Sequence, residues 1–379
     1  MKTLRDIEHL EGVKVLVRVD FNVPISGDLI GDDFRIQAAL PTINFLTSKK
    51  AKVILVSHAE SSDGSNNSLE PVALHLGKLG QKVTFVRNIK DAFSIIEHTM
   101  KNGDCILLEN LRMFGDGEKK NDPKFAQELA SLGDIYVNEA FPVSHRDHAS
   151  IVGVPDFLHG YAGVQFEKEV INLSKAFNPR HPFVFVLGGA KFDTKIPLIE
   201  KFMETADTVF IGGALANDLL KAKGYEIGKS LISPTVRDLS AFVNNPKLML
   251  PVDIINQNHE AKSVESILPE DRILDAGPRT LELLKEKTKS SKFILWNGPL
   301  GLYEEGFQAP TRELALMISI ATLEGVETVV GGGDTVGAIA TLGMQDKFTF
   351  ISTGGGAMLD FLAKGTLPGI EALKKSGGN

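Results

Sequence analysis

Short runs of apolar, mostly β-branched residues alternate with longer segments of helical spacing along the whole chain. Such alternation predicts parallel sheets covered by helices, because parallel neighbours need a crossover connection that is usually a helix. At 379 residues the chain exceeds the size of a typical single core, which favours two domains. The predicted strands form two series: Lys14–Val19, Lys52–Val56, Lys82–Val86, Cys105–Leu108 and Ile135–Val137, and then Phe183–Leu187, Thr208–Ile211, Phe293–Trp296, Thr328–Val330 and Phe348–Ile351.

The segment Gly163–Pro182 is the predicted connection between the two series. It has the charged character of an exposed helix, and Pro179 and Pro182 end regular structure just before the next predicted strand. The predicted fold class is therefore α/β, with two Rossmann-like three-layer αβα domains whose parallel sheets face each other across a cleft and which are joined by a helix. The predicted limits are 1–165 for the first domain, 166–182 for the connecting helix or hinge, and 183–366 for the second domain.

The first helix illustrates the pattern on which these predictions depend. Asp32-Asp33 is a start signal, and the apolar residues after it recur at the i, i+3, i+4, i+7 spacing of one helix face. Pro41 lies inside the helix, where a proline is expected to introduce a kink. The residues predicted to face the core are Ile36, Ala39, Leu40, Ile43 and Leu46.

The composition argues against several classes of partner. Lys and Arg number 41 against 48 Asp and Glu, and the net charge of −7 disfavours bulk attraction to nucleic acid or to a membrane. The single cysteine, Cys105, lies in an apolar run and suits a buried thiol in a reducing compartment. The start of the chain lacks the apolar core of a signal peptide, and the sequence has no apolar stretch long enough for a membrane helix. We therefore predict a cytoplasmic protein.

Glycine-rich turns follow the strands of the second series, at the edge where parallel sheets bind ligands. Glycine lets the backbone approach a ligand closely, and the N–H groups at a following helix start attract phosphate. The recurrence of such turns favours a nucleotide or phosphate site, although tight packing alone could also require glycine. The turns are Gly188-Gly-Ala-Lys191, Gly212-Gly213, Gly331-Gly-Gly-Asp-Thr335 and Ser352-Thr-Gly-Gly-Gly356.

Two common nucleotide motifs have little support in this sequence. The segment Gly224–Ser230 is one residue short of a Walker A motif and does not follow a predicted strand. Neither half has a strand followed by the G-x-G-x-x-G pattern of nicotinamide cofactor sites.

Basic residues occupy the equivalent strand ends in the first series. Asp20 and Asn22 leave the first strand on the same face, because side chains alternate along a strand. A small anionic molecule is the predicted ligand, whereas separate surface charges would be the alternative for any one residue. Metal binding by His145 and His148 is disfavoured, since no further ligand lies at suitable spacing. The basic groups are Arg35, His58, Arg112 and the segment His145-Arg-Asp-His148.

A basic site and a glycine-lined phosphate site on facing domains suit phosphoryl transfer between a nucleotide and a small anion. Such transfer mainly needs positioning, charge neutralisation and exclusion of water.

The chain resembles the phosphoglycerate kinase family in blocks that occur in the family's order and span nearly the whole length. These blocks are Val15-Leu-Val-Arg-Val-Asp-Phe-Asn-Val-Pro24, Leu108-Glu-Asn-Leu-Arg112, Val137-Asn-Glu-Ala-Phe141 with His145-Arg-Asp-His148, Leu187-Gly-Gly-Ala-Lys191, Trp296-Asn-Gly-Pro299, Gly331-Gly-Gly-Asp-Thr335 and Ser352-Thr-Gly-Gly-Gly356.

The resemblance implies reversible transfer of a phosphoryl group between 1,3-bisphosphoglycerate and Mg-ADP, giving 3-phosphoglycerate and ATP. It implies that Arg35 and Lys195 stabilise the transferred group, helped by the backbone amides of Gly354, Gly355 and Gly356. It also implies a monomer whose segment 367–379 returns to the first domain. The implied phosphoglycerate ligands are Asp20, Asn22, Arg35, His58, Arg112 and Arg146. The implied nucleotide ligands are Lys191, Lys195, Gly213, Asn297, Glu304, Gly332, Gly333, Asp334 and Thr335, with Asp334 coordinating Mg²⁺.

The sequence departs from the family pattern at the predicted acid site. After His58 the family continues Leu-Gly-Arg-Pro, and its arginine binds the substrate phosphate, whereas this chain has Ala59-Glu-Ser-Ser62. A charge-assisted contact contributes about 1.5–3 kcal/mol, so an uncharged Ser61 predicts weaker acid binding unless another cation replaces the arginine. Two alternatives therefore stay beside an active phosphoglycerate kinase: a kinase of the same fold with another acid specificity, and a non-catalytic nucleotide-binding relative.

Overall fold

The structure is a computed structural model that describes residues 1–61, 63–190, 192–235 and 238–376, except the side chains of 193 and 194. The chain divides into two compact units, Met1–Ile171 with the segment from Thr366 onward, and Asn172–Gly365. The division lies within the helix Val164–Ser174. The limits 1–165 for the first domain, 166–182 for the connecting helix and 183–366 for the second domain stay predictions.

A parallel sheet forms the centre of the first unit. Its strands run in the order β5-β6-β4-β1-β7-β8, and each neighbouring pair is parallel. The central strands are apolar along nearly their whole length because helices cover both faces of the sheet. The strands are β1 (Lys14–Arg18), β2 (Ile25–Ser26), β3 (Leu29–Ile30), β4 (Lys52–Val56), β5 (Thr84–Val86), β6 (Cys105–Leu108), β7 (Ile135–Asn138) and β8 (Gly160–Ala162), of which β2 and β3 form a separate hairpin.

The helices of the first unit carry their apolar residues on the face turned to the sheet. In the first helix, Ile36, Ala39, Ile43 and Leu46 are buried as predicted. The predicted Leu40 is only partly buried. The helix runs on through its internal proline to Ser48. The helices are α1 (Phe34–Ser48), α2 (Glu70–Lys78), α3 (Ile89–His98), α4 (Pro123–Ala130) and α5 (Val164–Ser174).

The second unit contains a second parallel sheet, with the strand order β11-β10-β9-β15-β16-β17. A small antiparallel sheet, β13-β12-β14, was not predicted, because strands of two or three residues give too little periodicity. The strands are β9 (Phe183–Leu187), β10 (Thr208–Ile211), β11 (Leu248–Met249), β12 (Asp253–Ile255), β13 (Ala261–Ser263), β14 (Asp275–Ala276), β15 (Phe293–Asn297), β16 (Glu327–Gly331) and β17 (Phe350–Ile351).

Helices again follow the strands of the second unit, and the predicted α/β class with two parallel-sheet units is confirmed. Within the described ranges, none of the helices combines the length and the apolar character that crossing a bilayer requires. The helices are α6 (Phe192–Thr205), α7 (Leu215–Ala222), α8 (Ser240–Val243), α9 (Pro278–Ser290), α10 (Ala309–Leu323), α11 (Gly333–Thr341) and α12 (Gly356–Lys364).

The last helix, α13 (Pro368–Ser376), belongs to the first unit. The Gly369 N–H donates to the Ser144 carbonyl at 2.9 Å, and the Ser376 hydroxyl accepts from the Gly160 N–H at 3.0 Å. A Cβ at Gly369 would lie 2.8 Å from the Ser144 side chain, so only glycine permits this approach.

A buried carboxylate fixes the start of α5. Glu139 follows β7 and accepts hydrogen bonds from the Thr42 hydroxyl at 2.7 Å and from the N–H groups of Gln165 and Phe166 at 3.0 and 3.1 Å. Burial raises the pKa of Glu139 to about 7, although these three donors favour the charged form. The same threonine hydroxyl accepts from the Val164 N–H at 2.8 Å. The buried Thr42 hydroxyl thus links α1 to Glu139 and to the start of α5.

We predict that Glu139→Ala lowers the free energy of unfolding by about 2–4 kcal/mol, because it leaves two helix N–H groups and the Thr42 hydroxyl buried without an acceptor. Glu167→Ala is the matched control, since Glu167 pairs at 3.8 Å with the exposed Arg5 and such pairs contribute little. Urea denaturation followed by circular dichroism measures both variants. Equal midpoints for the two would contradict the assignment.

Candidate active site

The loop after β1 and the first turn of α1 meet in a polar cluster. The Arg35 Nη1 lies 3.1 Å from the Asp20 carboxylate and donates to the Asn22 carbonyl at 3.0 Å. Asp20 is buried, whereas the Arg35 side chain is 35% exposed. The Asp20 carboxylate also accepts from the Asn22 N–H at 3.2 Å. The structure therefore brings these three predicted residues together and leaves part of the Arg35 guanidinium open to a ligand.

Arg18, at the end of β1, supports this cluster from within. Its guanidinium is fully buried, donates to the Ser150 hydroxyl at 2.7 Å and lies 3.9 Å from the Glu118 carboxylate. Glu118 is also fully buried and accepts from the Ser150 hydroxyl and N–H at 2.6 and 2.9 Å. A buried charge is tolerated only when it is paired and hydrogen-bonded, and these contacts meet that condition for both residues.

His58, directly after β4, is neutral rather than cationic. Burial, with the positive charge of Arg18 as the next cause, holds the pKa of His58 well below its usual value. The expectation of a cation here was therefore wrong. The Arg18 Nη2 lies 3.1 Å from the His58 Nδ1, and because a guanidinium only donates, Nδ1 is the acceptor and Nε2 carries the proton. Nε2 is buried and has no hydrogen-bond partner in the part of the chain that the structure describes.

Arg112 and Arg146 add positive charge at the same sheet edge. Arg112 follows β6 on a turn that the Asn110 side chain caps at 3.0 Å. Its guanidinium side chain is only 3% exposed and forms an ion pair with the Glu60 carboxylate. Burial lowers the pKa of Arg146, and the neighbouring charge of Arg112 is the next cause. Glu60 belongs to the segment that departs from the family pattern, and its pairing with Arg112 was not predicted.

His148, one of the two histidines that flank Arg146, lies beside a buried carboxylate. The His148 Nδ1 lies 3.7 Å from the Glu118 carboxylate. Burial lowers the pKa of His148 to about 4, with Arg18 as the next cause, so this ring is neutral at pH 7. His148 therefore adds no charge to the site.

In the second unit the loops after β9, β10 and β15 pack backbone against backbone. The Gly188 N–H donates to the Asn297 carbonyl at 2.8 Å, and the Gly213 N–H donates to the Leu300 carbonyl at 3.1 Å. A Cβ at Gly188 would lie 2.1 Å from the Pro299 carbonyl oxygen. Glycine at Gly188 is therefore required by packing between the loops, as the alternative interpretation held for such turns.

The same loops line a cavity of about 340 Å³. This volume is within the range of small-molecule sites. Three of the predicted nucleotide ligands line it: Gly213, Glu304 and Asp334. Sequence reasoning missed most of its wall, because several lining residues come from the short strand β14 and from segments without periodicity. The missed residues include Asn217, Leu231, Arg272, Asp275, Leu300 and Leu302.

Lys195 lies in the first turn of α6, beside this cavity. Its Nζ donates to the Gly188 carbonyl at 2.8 Å. Burial lowers the pKa of Lys195 to about 8, while the charge of Asp334 acts in the opposite direction. The ammonium group is therefore charged at pH 7 but easily neutralised. The predicted ligand Lys191 lies outside the described residues.

The remaining predicted nucleotide residues stand around the start of α11. Gly332 has φ of +96°, a conformation that favours glycine, and precedes Gly333, where the helix begins. The buried Asn297 side chain lies next to Gly332, since a Cβ there would be 3.2 Å from its Nδ2. The Thr335 hydroxyl accepts from the Gly298 N–H at 2.9 Å. Thr335 thus holds the loop after β15 in place.

The last glycine turn follows β17. The Gly354 N–H donates to the Ser352 hydroxyl at 3.0 Å. Gly355 has φ of +51° and directly precedes α12, which begins at Gly356. The N–H groups at such a helix start carry partial positive charge and suit an anionic ligand.

Known proteins share the sequence pattern and the fold of this chain along nearly its whole length. Residues 4–365 match the family model described as phosphoglycerate kinase. The chain is 43% identical to the phosphoglycerate kinase of Dictyoglomus turgidum over 98% of its own length and 99% of that protein. It is 41% identical to that of Borrelia garinii over 99% and 100% of the two chains. The solved structure from Coxiella burnetii has a TM-score of 0.84 at 35% identity and covers 98% of each chain. The structure from Pyrococcus horikoshii has a TM-score of 0.86 at 31% identity and covers 99% of each.

Proposed function

The chain belongs to the phosphoglycerate kinase family, and from that premise we propose which of its residues hold each substrate and stabilise the transferred group. Members of this family are phosphotransferases with a carboxyl group as acceptor. The reaction is reversible phosphoryl transfer between 1,3-bisphosphoglycerate and ADP, giving 3-phosphoglycerate and ATP, and it belongs to glycolysis.

The proposed acid site is the cationic edge of the first unit. The observation that carries it is the set of groups left for a ligand: the part-exposed Arg35 guanidinium and the buried, unpartnered Nε2–H of His58, within the described residues. Arg35 would bind a phosphate or carboxylate oxygen by charge-assisted hydrogen bonds, whereas His58 would donate one neutral hydrogen bond. The proposed ligands are Asp20, Asn22, Arg35, His58, Arg112 and Arg146.

The proposed nucleotide site is the glycine-lined cavity of the second unit. Lys195 would bind a phosphate oxygen, and the amides at the start of α11 would support the phosphate chain. Lys191 keeps its role from the family resemblance alone. The proposed ligands are Lys191, Lys195, Gly213, Asn297, Glu304, Gly332, Gly333, Asp334 and Thr335.

A magnesium ion fits the donor set of this cavity. Glu304 and Asp334 both line it, and across the described residues no cluster of three or more His, Cys, Asp or Glu side chains could hold a metal. Mg²⁺ is usually held by one or two carboxylates together with substrate phosphates, so a sparse protein donor set suits it. Asp334 is the proposed ligand, and the ion would neutralise charge on the nucleotide phosphates when bound.

Transfer needs positive charge around the phosphoryl group as negative charge spreads over its oxygens. We propose that Arg35 supplies this charge from the acid side and Lys195 from the nucleotide side, with the amides of Gly354 and Gly355 as further donors. The Gly354 N–H would exchange its bond to the Ser352 hydroxyl for one to the transferred group. The two substrates must meet for transfer, so we propose that the units close about the connecting helix. Closure would also exclude water.

We also propose that the protein acts as a monomer in the cytoplasm. Its family suggests the monomer. The sequence has one cysteine and so no internal disulfide, which suits a reducing compartment.

Arg35→Ala tests the proposed catalytic role. We expect kcat for 3-phosphoglycerate and Mg-ATP to fall about 10²–10³-fold, because a preorganised cation is lost at the transferred group. The dissociation constant for ADP should stay within about twofold of wild type. Arg87→Ala is the control, since Arg87 is 66% exposed and pairs with Glu70. A coupled assay and calorimetry give the two quantities, and a strong loss of ADP binding would contradict the assignment.

Lys195 predicts a pH dependence of nucleotide binding. Because the pKa of Lys195 is about 8, the fraction of free enzyme with a charged ammonium falls as pH rises from 7 to 9.5. Affinity for ADP should fall in that window, with an apparent pKa near 8. Lys195→Arg keeps a positive charge throughout and should flatten the profile. A wild-type profile that is already flat would refute the role of Lys195.

A further inference from the structure

We propose that Lys119 is a further binding residue for the phosphate of the acid substrate, and that Glu60 is an internal counter-ion which this phosphate displaces. The proposal rests on the acid site proposed above and adds residues that the family resemblance does not assign. It concerns the acid-site wall, defined here as Glu60, Ser61 and residues 63–67 of one loop together with Arg112 and Lys119.

The backbone of Glu60 is fixed against the acid site. Its N–H donates to the Asn22 side-chain oxygen at 2.9 Å, and its backbone pairs with Asn66 across the loop. The next residue, Ser61, is held in the same loop, since its N–H donates to the Ser65 carbonyl at 2.8 Å. The Ser61 hydroxyl donates to the Asn67 side chain at 2.9 Å. Ser61 therefore supplies no charge, whereas Glu60 places a carboxylate next to a proposed substrate ligand.

The Glu60 carboxylate already contacts two cations. One oxygen pairs with the Arg112 guanidinium, and the other lies 3.7 Å from the Lys119 ammonium. The hydrogen bond from Arg112 is the largest cause of the lowered pKa of Glu60, and Lys119 and Arg146 contribute through their charges. The groups that surround this carboxylate are thus the groups that would surround a substrate phosphate. A carboxylate in this place mimics the ligand.

Burial explains why such a counter-ion is needed. Arg112 is almost fully buried, and a buried guanidinium without an anion carries a large desolvation penalty. Glu60 is 30% exposed, so its side chain has solvent to turn into when a dianionic phosphate arrives. Exchange of one anion for another keeps Arg112 paired throughout. The Lys119 ammonium would then pair with the phosphate instead of with Glu60, because the phosphate takes the place of the carboxylate.

The position of Lys119 is held by its sequence neighbour. Glu118 is fully buried and bound by Ser150, which fixes the backbone from which the Lys119 side chain extends. Lys119 is 49% exposed, so its ammonium group is available to a ligand. Lys120 is the natural comparison. Its ammonium group pairs with Asp116 at 2.8 Å rather than with the acid-site wall, and its side chain is 72% exposed.

The test compares Lys119→Gln with Lys120→Gln in steady-state kinetics. Lys119→Gln should raise the KM for 3-phosphoglycerate about tenfold, as expected for one charge-assisted contact, and leave the KM for ATP unchanged. Lys120→Gln should change neither. Both lysines are exposed, so both variants should fold. Equal KM values for 3-phosphoglycerate in the two variants would overturn the role of Lys119.

Glu60→Gln tests the counter-ion. The amide keeps the shape of the side chain but removes the charge that the phosphate must displace, so the KM for 3-phosphoglycerate should fall several-fold. A raised KM in this variant would overturn the counter-ion proposal, because it would show that Glu60 helps to bind the acid.

Ser61→Arg completes the comparison by returning a cation to the same loop. If Lys119 already supplies the charge, Ser61→Arg should lower the KM markedly on the Lys119→Gln background and little on the wild-type background. An equal effect on both backgrounds would overturn the proposal. Arg112→Gln separates this inference from the proposed acid site: an unchanged KM in that variant would refute the site itself, whatever Lys119 does.

Discussion

Parallel strand pairing is the constraint on which both candidate sites depend. In each unit all strands of the main sheet end at one edge, so the residues that follow them are brought together although they are far apart in sequence. The loops after β1, β4 and β6 thereby bring together Asp20, His58 and Arg112, and Asp20 in turn pairs with Arg35. The loops after β9, β10 and β15 gather glycines instead. The same architecture thus produces a site of charged side chains in one unit and a cavity lined by tightly packed glycine turns in the other.

The charged site is stable in a folded domain because its buried charges are paired with one another. The most deeply buried pair is Arg18 and Glu118, and the Ser150 hydroxyl bonds to both. Burial, and after it the positive charge of Arg18, lowers the pKa of His58 and keeps its ring neutral. A neutral His58 with its proton on Nε2 is a fixed donor rather than a competing cation. The protonation of His58 is therefore set by its burial and by Arg18, whose guanidinium lies against its ring.

Much of this arrangement was predictable from the sequence, and the exceptions have physical reasons. Strand alternation predicted that Asp20 and Asn22 would point the same way, and Arg35 was expected at the start of the next helix, among the basic groups of the same sheet edge. The charge of His58 was predicted wrongly, because ionisation depends on burial and on Arg18, which share no sequence pattern. The pairing of Glu60 with Arg112 joins two loops through tertiary structure, so local spacing contains no signal for it. The wall of the nucleotide cavity escaped prediction for the same reason, since its segments are too short to show a period.

The two kinds of site suit the two kinds of ligand that the family binds. A small acid has few atoms and fixed charges, so its recognition depends on charged groups held at defined positions, which side chains such as Arg35 can provide. A nucleotide has a long phosphate chain that must lie close to the protein, and glycine lets the backbone approach it closely, which is the role proposed for Gly332 with its φ of +96°. Substitution tolerance should differ accordingly. In the acid site a cation can be supplied from a neighbouring loop, because charge acts over several ångströms. In the nucleotide site a Cβ at Gly188 collides with a carbonyl oxygen, and no neighbouring residue can compensate for a steric conflict between backbones. Sequence change between relatives is therefore easier to accommodate in the acid site, where this chain has Ser61 in place of the family's arginine.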